Sequence, residues 1–174
     1  TDFYVDAGIA TTETRNTNHT GKTTWEYGEP VSPFSGYYLS CRTQYVILAS
    51  DLQKTGFIAG NFNSIGLFVL SNYTSDYYEN FTIKMAQTSA TDLSGGFLSP
   101  SFTTVWGATD YYVNSGDNTF TFSSGFTWDG TSNIVVQMCF DNTSSYYPWE
   151  AYVRSINMPY QASYQSFSDY DDQC

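Results

Sequence analysis

One histidine, three cysteines and four tyrosine doublets are the residues through which chemistry could pass in this chain. Serine-type acyl transfer needs a nucleophile, a base and a group that orients the base. The single histidine, His19, stands in "TRNTNHTGKT", a polar run that reads as an exposed loop, so no such triad is expected. A glycosidase needs two carboxyls about 5 to 9.5 Å apart in a cleft. An acidic chain offers many such pairs on paper, and the acid in the most distinctive setting is Glu150 of "YYPWEAY". No catalytic residue is assigned, and the chain is expected not to be an enzyme. One histidine without a Cys-x-x-Cys pair spells no zinc site. Asp169, Asp171 and Asp172 of "SDYDDQC" could offer hard oxygen ligands to calcium, but the run reads better as a solvated acidic tail. Neither a metal nor a cofactor is expected.

The tyrosines carry the ligand expectation. The doublets are Tyr37–Tyr38, Tyr77–Tyr78, Tyr111–Tyr112 and Tyr146–Tyr147, the last followed by Trp149. In a strand one member of each doublet faces in and the other out. Flat exposed rings stack on the apolar face of a sugar while their hydroxyls hydrogen-bond, so Tyr111, Tyr112, Tyr146, Tyr147 and Trp149 form a candidate glycan platform. The alternative is that they are core and rim tyrosines of an aromatic-rich fold. Asn18, Asn72, Asn80 and Asn142 each open an Asn-x-Thr/Ser triplet and are candidate glycosylation sites, although a chain rich in Thr and Asn also makes such triplets by chance. Cys139, inside the apolar run "NIVVQMCFDN", reads as a buried small hydrophobe. In an extracellular chain that leaves Cys41 and Cys174 as the candidate disulfide, pinning the acidic tail.

These residues need elements to hold them. The chain has 174 residues, enough for one domain with a real core. Its 13 Phe, 16 Tyr and 4 Trp, set against few helix-favouring residues, point to an all-β fold. Six Lys plus Arg against 17 Asp plus Glu leave a net charge of -11, which repels phosphate backbones and anionic membrane surfaces. Nucleic acid is not an expected partner. No apolar run approaches the roughly 20 residues of a membrane-spanning helix. The chain begins at Thr1 and shows no charged-then-apolar leader, so a signal peptide is expected to have been removed already. Together with the Thr, Ser, Asn and Tyr content, this suits an extracellular or cell-surface protein.

Ten short strands are predicted: "DFYVDAGIA", "TTWEY", "RTQYVILA", "FNSIGLFVL", "NFTIKMAQ", "FTTVWG", "NTFTFS", "NIVVQMCF", "EAYVRSI" and "YQASYQSF". One helical turn is placed at "SDLQKTG", with Ser50 as its cap and Gly56 as its left-handed stop. Such spacing predicts an antiparallel β-sandwich of jelly-roll type. "NFTIKMAQ" should have a core side, Phe81, Ile83 and Met85, and a wet side, Thr82, Lys84 and Ala86. "NIVVQMCF" is apolar almost throughout and should be central, buried on both faces or covered by a partner. "FTWDGTSN" supplies a turn through Asp129 and Gly130.

The runs "CRTQYVILASDLQKTGFIAGNFNSIGLFVL", "NFTIKMAQTSATDLSG" and "NTFTFSSGFTWDGTSNIVVQMCFDN" resemble a β-sandwich module of secreted and cell-surface proteins of Bacteroidota-type bacteria. The likeness spans roughly residues 42 to 143. It implies type IX secretion cargo of an adhesin-like kind, a binding or structural unit without catalytic residues.

The amino terminus sets the functional expectation. In "TDFYVDAGIATTETR", Phe3, Val5, Ala7 and Ile9 share one side of an extended strand. An apolar stripe at a chain end needs a partner, in its own domain or in a neighbour's. The polar run "TTETRNTNHTGKTT" behind it can serve as a connecting arm. Residues 1–20 are therefore expected to form an extended strand and arm, a donor strand for another copy, and residues 21–174 the sandwich. Strand addition uses main-chain hydrogen bonds, with the stripe as plugs and subunit interface, and head-to-tail donation that does not close grows a filament. The expected function is a structural subunit of an extracellular fibre whose partner is itself. The alternative is a monomeric carbohydrate-binding or adhesive module whose partners are glycans.

Overall fold

Alternating apolar residues decide the two faces of each strand, and pairing then assembles the strands into two sheets. The structure, a computed structural model, describes residues 2–4, 31–74, 76–143, 148–154, 158–170 and 174. The elements run β1 (Asp2–Tyr4), β2 (Ser35–Gly36), β3 (Ser40–Ile47), α1 (Ala49–Lys54), β4 (Gly60–Asn72), β5 (Tyr78–Thr88), β6 (Thr103–Tyr111), β7 (Gly116–Trp128), β8 (Asn133–Asp141), β9 (Trp149–Val153) and β10 (Ser163–Ser168). One sheet holds β10-β3-β8-β5-β6. In the other, β7 pairs with one edge of β4, while β1 and β9 share its opposite edge, and β2 pairs with β9. The all-β sandwich expected from the strand spacing is present. The predicted strand "TTWEY" lies outside the described residues, as does "DFYVDAGIA" after Tyr4.

The core sits between the sheets. Phe81, Ile83 and Met85 of β5 face Ile65, Leu67 and Val69 of β4 across it, with Ile134, Val136, Met138 and Phe140 of β8 alongside. Burying a side chain of this size contributes about 1.5–3 kcal/mol. Phe34 closes one end, its ring 5.3 Å from Phe81 and 5.4 Å from Tyr78.

The outer face of β8 is covered too. Val135 packs there with Val46, Ala86 and Leu93, and with Leu98 and Phe102 of the β5–β6 connection. Gln44 clamps this connection like a strand: its Nε2 donates to the Leu98 carbonyl (2.8 Å) and to Gln137 Oε1 (2.9 Å), and its Oε1 accepts the Leu98 amide (2.8 Å). Hence the wet side expected for β5 is corrected. Thr82 and Ala86 are buried: the chain's own β5–β6 connection covers Ala86, and Thr82 lies against Gly107 of β6 with its hydroxyl oxygen accepting the Ala108 amide (3.1 Å).

The local turn and cap signals hold with one exception. Gly130 has φ +86°, and Asp129 Oδ1 accepts the Thr131 and Ser132 amides (both 2.7 Å), which forms the expected turn. Gly56 stops α1 at φ +90°. Ser50 does not cap α1. The helix begins at Ala49, and Asn133 Oδ1, from the start of β8, accepts the Ala49 amide (2.9 Å).

The disulfide is corrected. Cys139 is bonded to Cys174, their Cα atoms 5.3 Å apart, and Cys41 is a buried free thiol. The physical reason is which face each cysteine occupies. Cys41 is in register with Phe140 and lies in the inner core, whereas Cys139 is in register with Arg42 and Thr82 on the outer face, where Cys174 lies. Lys84 on that face donates to the Cys174 carbonyl (2.8 Å), and the Arg42 guanidinium lies 3.9 Å from the centroid of the Phe97 ring.

Candidate functional site

Two features could carry function: the edge of β4 and one end of the sandwich. β1 pairs with β4 in parallel, Asp2 with Ser64, Phe3 with Ile65 and Tyr4 with Gly66. Among the described pairings it is the only parallel one. Further along the same edge β9 takes over, with Val153 opposite Val69 and the Arg154 amide donating to the Phe68 carbonyl (2.8 Å). β1 therefore occupies a slot that β9 closes on one side. A register shift between Phe62 and Ser64 bends β4 where β1 begins to pair. Of the predicted interface residues, Phe3 has its backbone in this slot, and Val5, Ala7 and Ile9 lie outside the described residues.

The two free edges on the far side are treated differently. β6 and β7 end their respective sheets side by side, and β7 side chains cap the β6 edge. Ser123 Oγ donates to the Val105 carbonyl (3.1 Å), and Ser124 Oγ donates to the Thr104 carbonyl (3.0 Å). Such bonds use up acceptors that would otherwise invite another strand.

The second feature is built by the connections at the end of the sandwich where β4, β6, β8 and β10 finish and β3, β5, β7 and β9 start. Tyr37, Tyr73, Tyr77, Tyr112 and Trp149 are all exposed there, five of the eight large hydrophobic residues that are exposed among those described. Tyr37 meets Trp149 edge-on at 5.9 Å and Tyr77 meets Tyr112 at 5.5 Å. Buried Tyr78 joins the two pairs, donating from its hydroxyl to the carbonyls of Phe34 (2.8 Å) and Trp149 (2.7 Å). Burial holds this phenol well above its ordinary pKa. Trp149 sits at φ +68°, and Gly36 lies so close that a Cβ there would run into the Trp149 carbonyl and the Pro148 ring. Glu150 projects from the same strand, with Oε2 accepting the Tyr152 hydroxyl (2.6 Å).

The tyrosine expectation holds in part. Tyr78 is buried with Tyr77 exposed, and Tyr112 is exposed while Tyr111 packs on Phe34, Phe81 and Phe120. Tyr111 is partly buried against the core, with its hydroxyl donating to Asn118 Oδ1 (2.8 Å), and burial pushes its pKa up to about 12. Tyr146 and Tyr147 lie outside the described residues. Tyr37, Tyr73 and Tyr77 were missed, although Tyr37 and Tyr77 belong to doublets, because alternation does not say which ends of the strands converge.

The remaining candidates separate by burial. Asn142 is buried, its Oδ1 accepts the Glu79 amide (2.8 Å), and its Nδ2 has no exposed surface on which a glycan could be built. The Asn142 site is therefore corrected. Asn80 is exposed, with Nδ2 donating to the Asp141 carbonyl (3.2 Å), and Asn72 Nδ2 donates to the Val113 carbonyl (2.7 Å). Asn18 and His19 lie outside the described residues, as do Asp171 and Asp172. Asp169 Oδ1 accepts the Leu39 amide (3.1 Å). Among the described residues no group of three His, Cys, Asp or Glu side chains is placed to hold a metal, and no helix is long and apolar enough to cross a membrane. Compared with models of protein families, with curated proteins and with solved structures, the chain matches none.

Proposed function

We propose that this chain is a structural subunit of an extracellular fibre, linked head to tail by its amino-terminal strand. The observation that supports the reading is the parallel seat of β1 on the β4 edge, with residues 5–30 between it and the next described residue, Val31. A parallel neighbour requires a crossover of a dozen or more residues. A flexible loop of that many residues would cost about 3 kcal/mol in closure entropy by its logarithmic term if the strand is seated in its own domain. The same backbone pairing made by a neighbour's strand avoids that closure. The balance between self-seating and donation then depends on subunit concentration. Donation is head to tail, so each copy accepts from one neighbour and donates to the next, and where the rotation between copies does not close a ring the copies add without limit. The Cys139–Cys174 bond supports an oxidising, extracellular setting.

A second reading, a carbohydrate-binding or adhesive module, is favoured by the exposed rings of Trp149, Tyr112 and their neighbours. Deleting residues 1–10 separates the two. The fibre reading expects the shortened chain to stay a monomer at concentrations where the intact chain polymerises. Polymers that persist without the strand would overturn it, and saccharide binding unchanged by the deletion would favour the second reading.

A further inference from the structure

Two of the tyrosine doublets become two cross-strand pairs. β5 and β6 run antiparallel with Tyr78 opposite Tyr111, so the residues one step outward, Tyr77 and Tyr112, face each other and their rings meet. Residues directly opposite on antiparallel strands have Cβ atoms about 4.5–5.5 Å apart. The inner pair belongs to the core: Tyr78 is buried with its hydroxyl on two carbonyls, and Tyr111 packs on Phe34 with its hydroxyl on Asn118. The outer pair is open to solvent, Tyr77 being 53% and Tyr112 43% exposed, with ring centroids 5.5 Å apart and planes inclined at 67°. Anchors on both sides hold these rings in place. Tyr112 precedes buried Val113, whose carbonyl accepts Asn72 Nδ2 (2.7 Å), and Asn118 ties down the residues that follow through the Asn114 amide (3.0 Å) and carbonyl (2.7 Å). Tyr77 precedes buried Tyr78, and its amide donates to Asp76 Oδ1 (2.8 Å).

We infer that Tyr77 and Tyr112 form a site for oxidative coupling, at which hydrogen peroxide acting through a haem peroxidase joins the two rings as an intrachain dityrosine. Each phenol gives up its hydroxyl hydrogen as one electron and one proton. The two phenoxyl radicals then pair their electrons in a new bond between ring carbons ortho to the oxygens, and the hydrogens on those carbons move to the oxygens and restore both phenols. The chain loses two hydrogen atoms, and one peroxide takes up two electrons and two protons and leaves as two waters. Rings already in contact couple within the chain faster than chains collide, because fixed geometry raises their effective concentration. Burial withholds the inner pair from the oxidant. The new bond ties the β4–β5 connection to the β6–β7 connection, across positions as far apart in sequence as Cys139 and Cys174. A cross-link of that span stabilises the fold by restricting the unfolded chain.

The test treats the dilute full-length chain with one equivalent of hydrogen peroxide and a haem peroxidase. The product should be a monomer lighter by two hydrogens, with dityrosine fluorescence, and proteolysis should recover the Tyr77 and Tyr112 peptides linked. Tyr77→Phe and Tyr112→Phe each keep the ring contact and should abolish that linked pair. Tyr170→Phe, which removes the most exposed of the described tyrosines (96%), should leave its yield unchanged. The coupled monomer should unfold at a higher urea midpoint than the untreated chain. Chains joined only to one another, a link that maps first to other tyrosines, or undiminished hydrogen loss in the two Phe variants at these positions would overturn the inference. A coupled monomer with an unchanged urea midpoint would overturn the stabilising role. Both rings lie in one chain, so the result holds whether or not copies polymerise.

Discussion

Cys174→Ser removes the disulfide that ties the acidic tail to the sheet. The Cys139–Cys174 bond spans a sequence separation of 35 residues. Closing a loop of that length in the unfolded chain is worth about 4 kcal/mol in the chain-entropy description. For a chain of this size that corresponds to a fall in Tm of roughly 10 °C. The variant also frees the contact of Lys84 with the Cys174 carbonyl, an exposed hydrogen bond that adds little. Urea unfolding of the wild type, Cys174→Ser and Cys41→Ser, each kept oxidised, measures the loss, and a non-reducing proteolytic map identifies the linked peptides. Cys41→Ser should keep the Cys139–Cys174 peptide pair. A Cys174→Ser midpoint indistinguishable from wild type, or a map joining Cys174 to Cys41, would refute the placement of the two cysteines on opposite faces of the sheet.

Tyr78→Phe keeps the ring against Phe34 and Phe140 but removes the donor shared by the Phe34 and Trp149 carbonyls, and should cost about 1–3 kcal/mol in urea unfolding; a loss below about 0.5 kcal/mol would contradict its role as the tie beneath the exposed rings. Stability should also fall as pH rises from about 9 to 11. Burial pushes Cys41 up to about 11 and Tyr111 up to about 12 and holds Tyr45 and Tyr78 well above the ordinary value, so the unfolded chain loses these protons first and binds fewer of them. At the other extreme, bonds from Ser132 and Thr131 hold Asp129 down at about 2, and its contribution, present above the ordinary carboxyl pKa, is lost as pH falls toward 2. A urea midpoint that stays flat between pH 8 and 11 would contradict the alkaline half of this expectation.

Strands such as β5 and β8 were legible because each carries its own local pattern of apolar residues. Phe81, Ile83 and Met85 alternate along β5, and the doubly apolar run of β8 marks a central strand wherever it falls. The Asp129–Gly130 turn and the Gly56 stop were legible for a similar reason, since each depends on a conformation confined to a few residues. What the sequence hid depends on residues far apart along the chain. Asn133 caps α1 from 84 positions away, which a search for a local Ser or Asp cap does not find. β2 has two residues, and its pairing with Trp149 rests on the missing side chain of Gly36. The cysteine pairing turned on which face of the sheet each sulfur occupies, and register, not spacing, sets that. The aromatic end escaped for the same reason. The doublets predicted exposed rings, but the strand order is what brings Tyr37 beside Trp149 and Tyr77 beside Tyr112.

The most direct test is the mass of the intact chain in solution across a range of concentrations, by mass photometry or sedimentation velocity. Strand donation predicts a series of multiples of 19.6 kDa that lengthens with concentration and collapses to the monomer when residues 1–10 are removed. A single 19.6 kDa species at every concentration would contradict it, because β1 would then belong to its own sandwich alone.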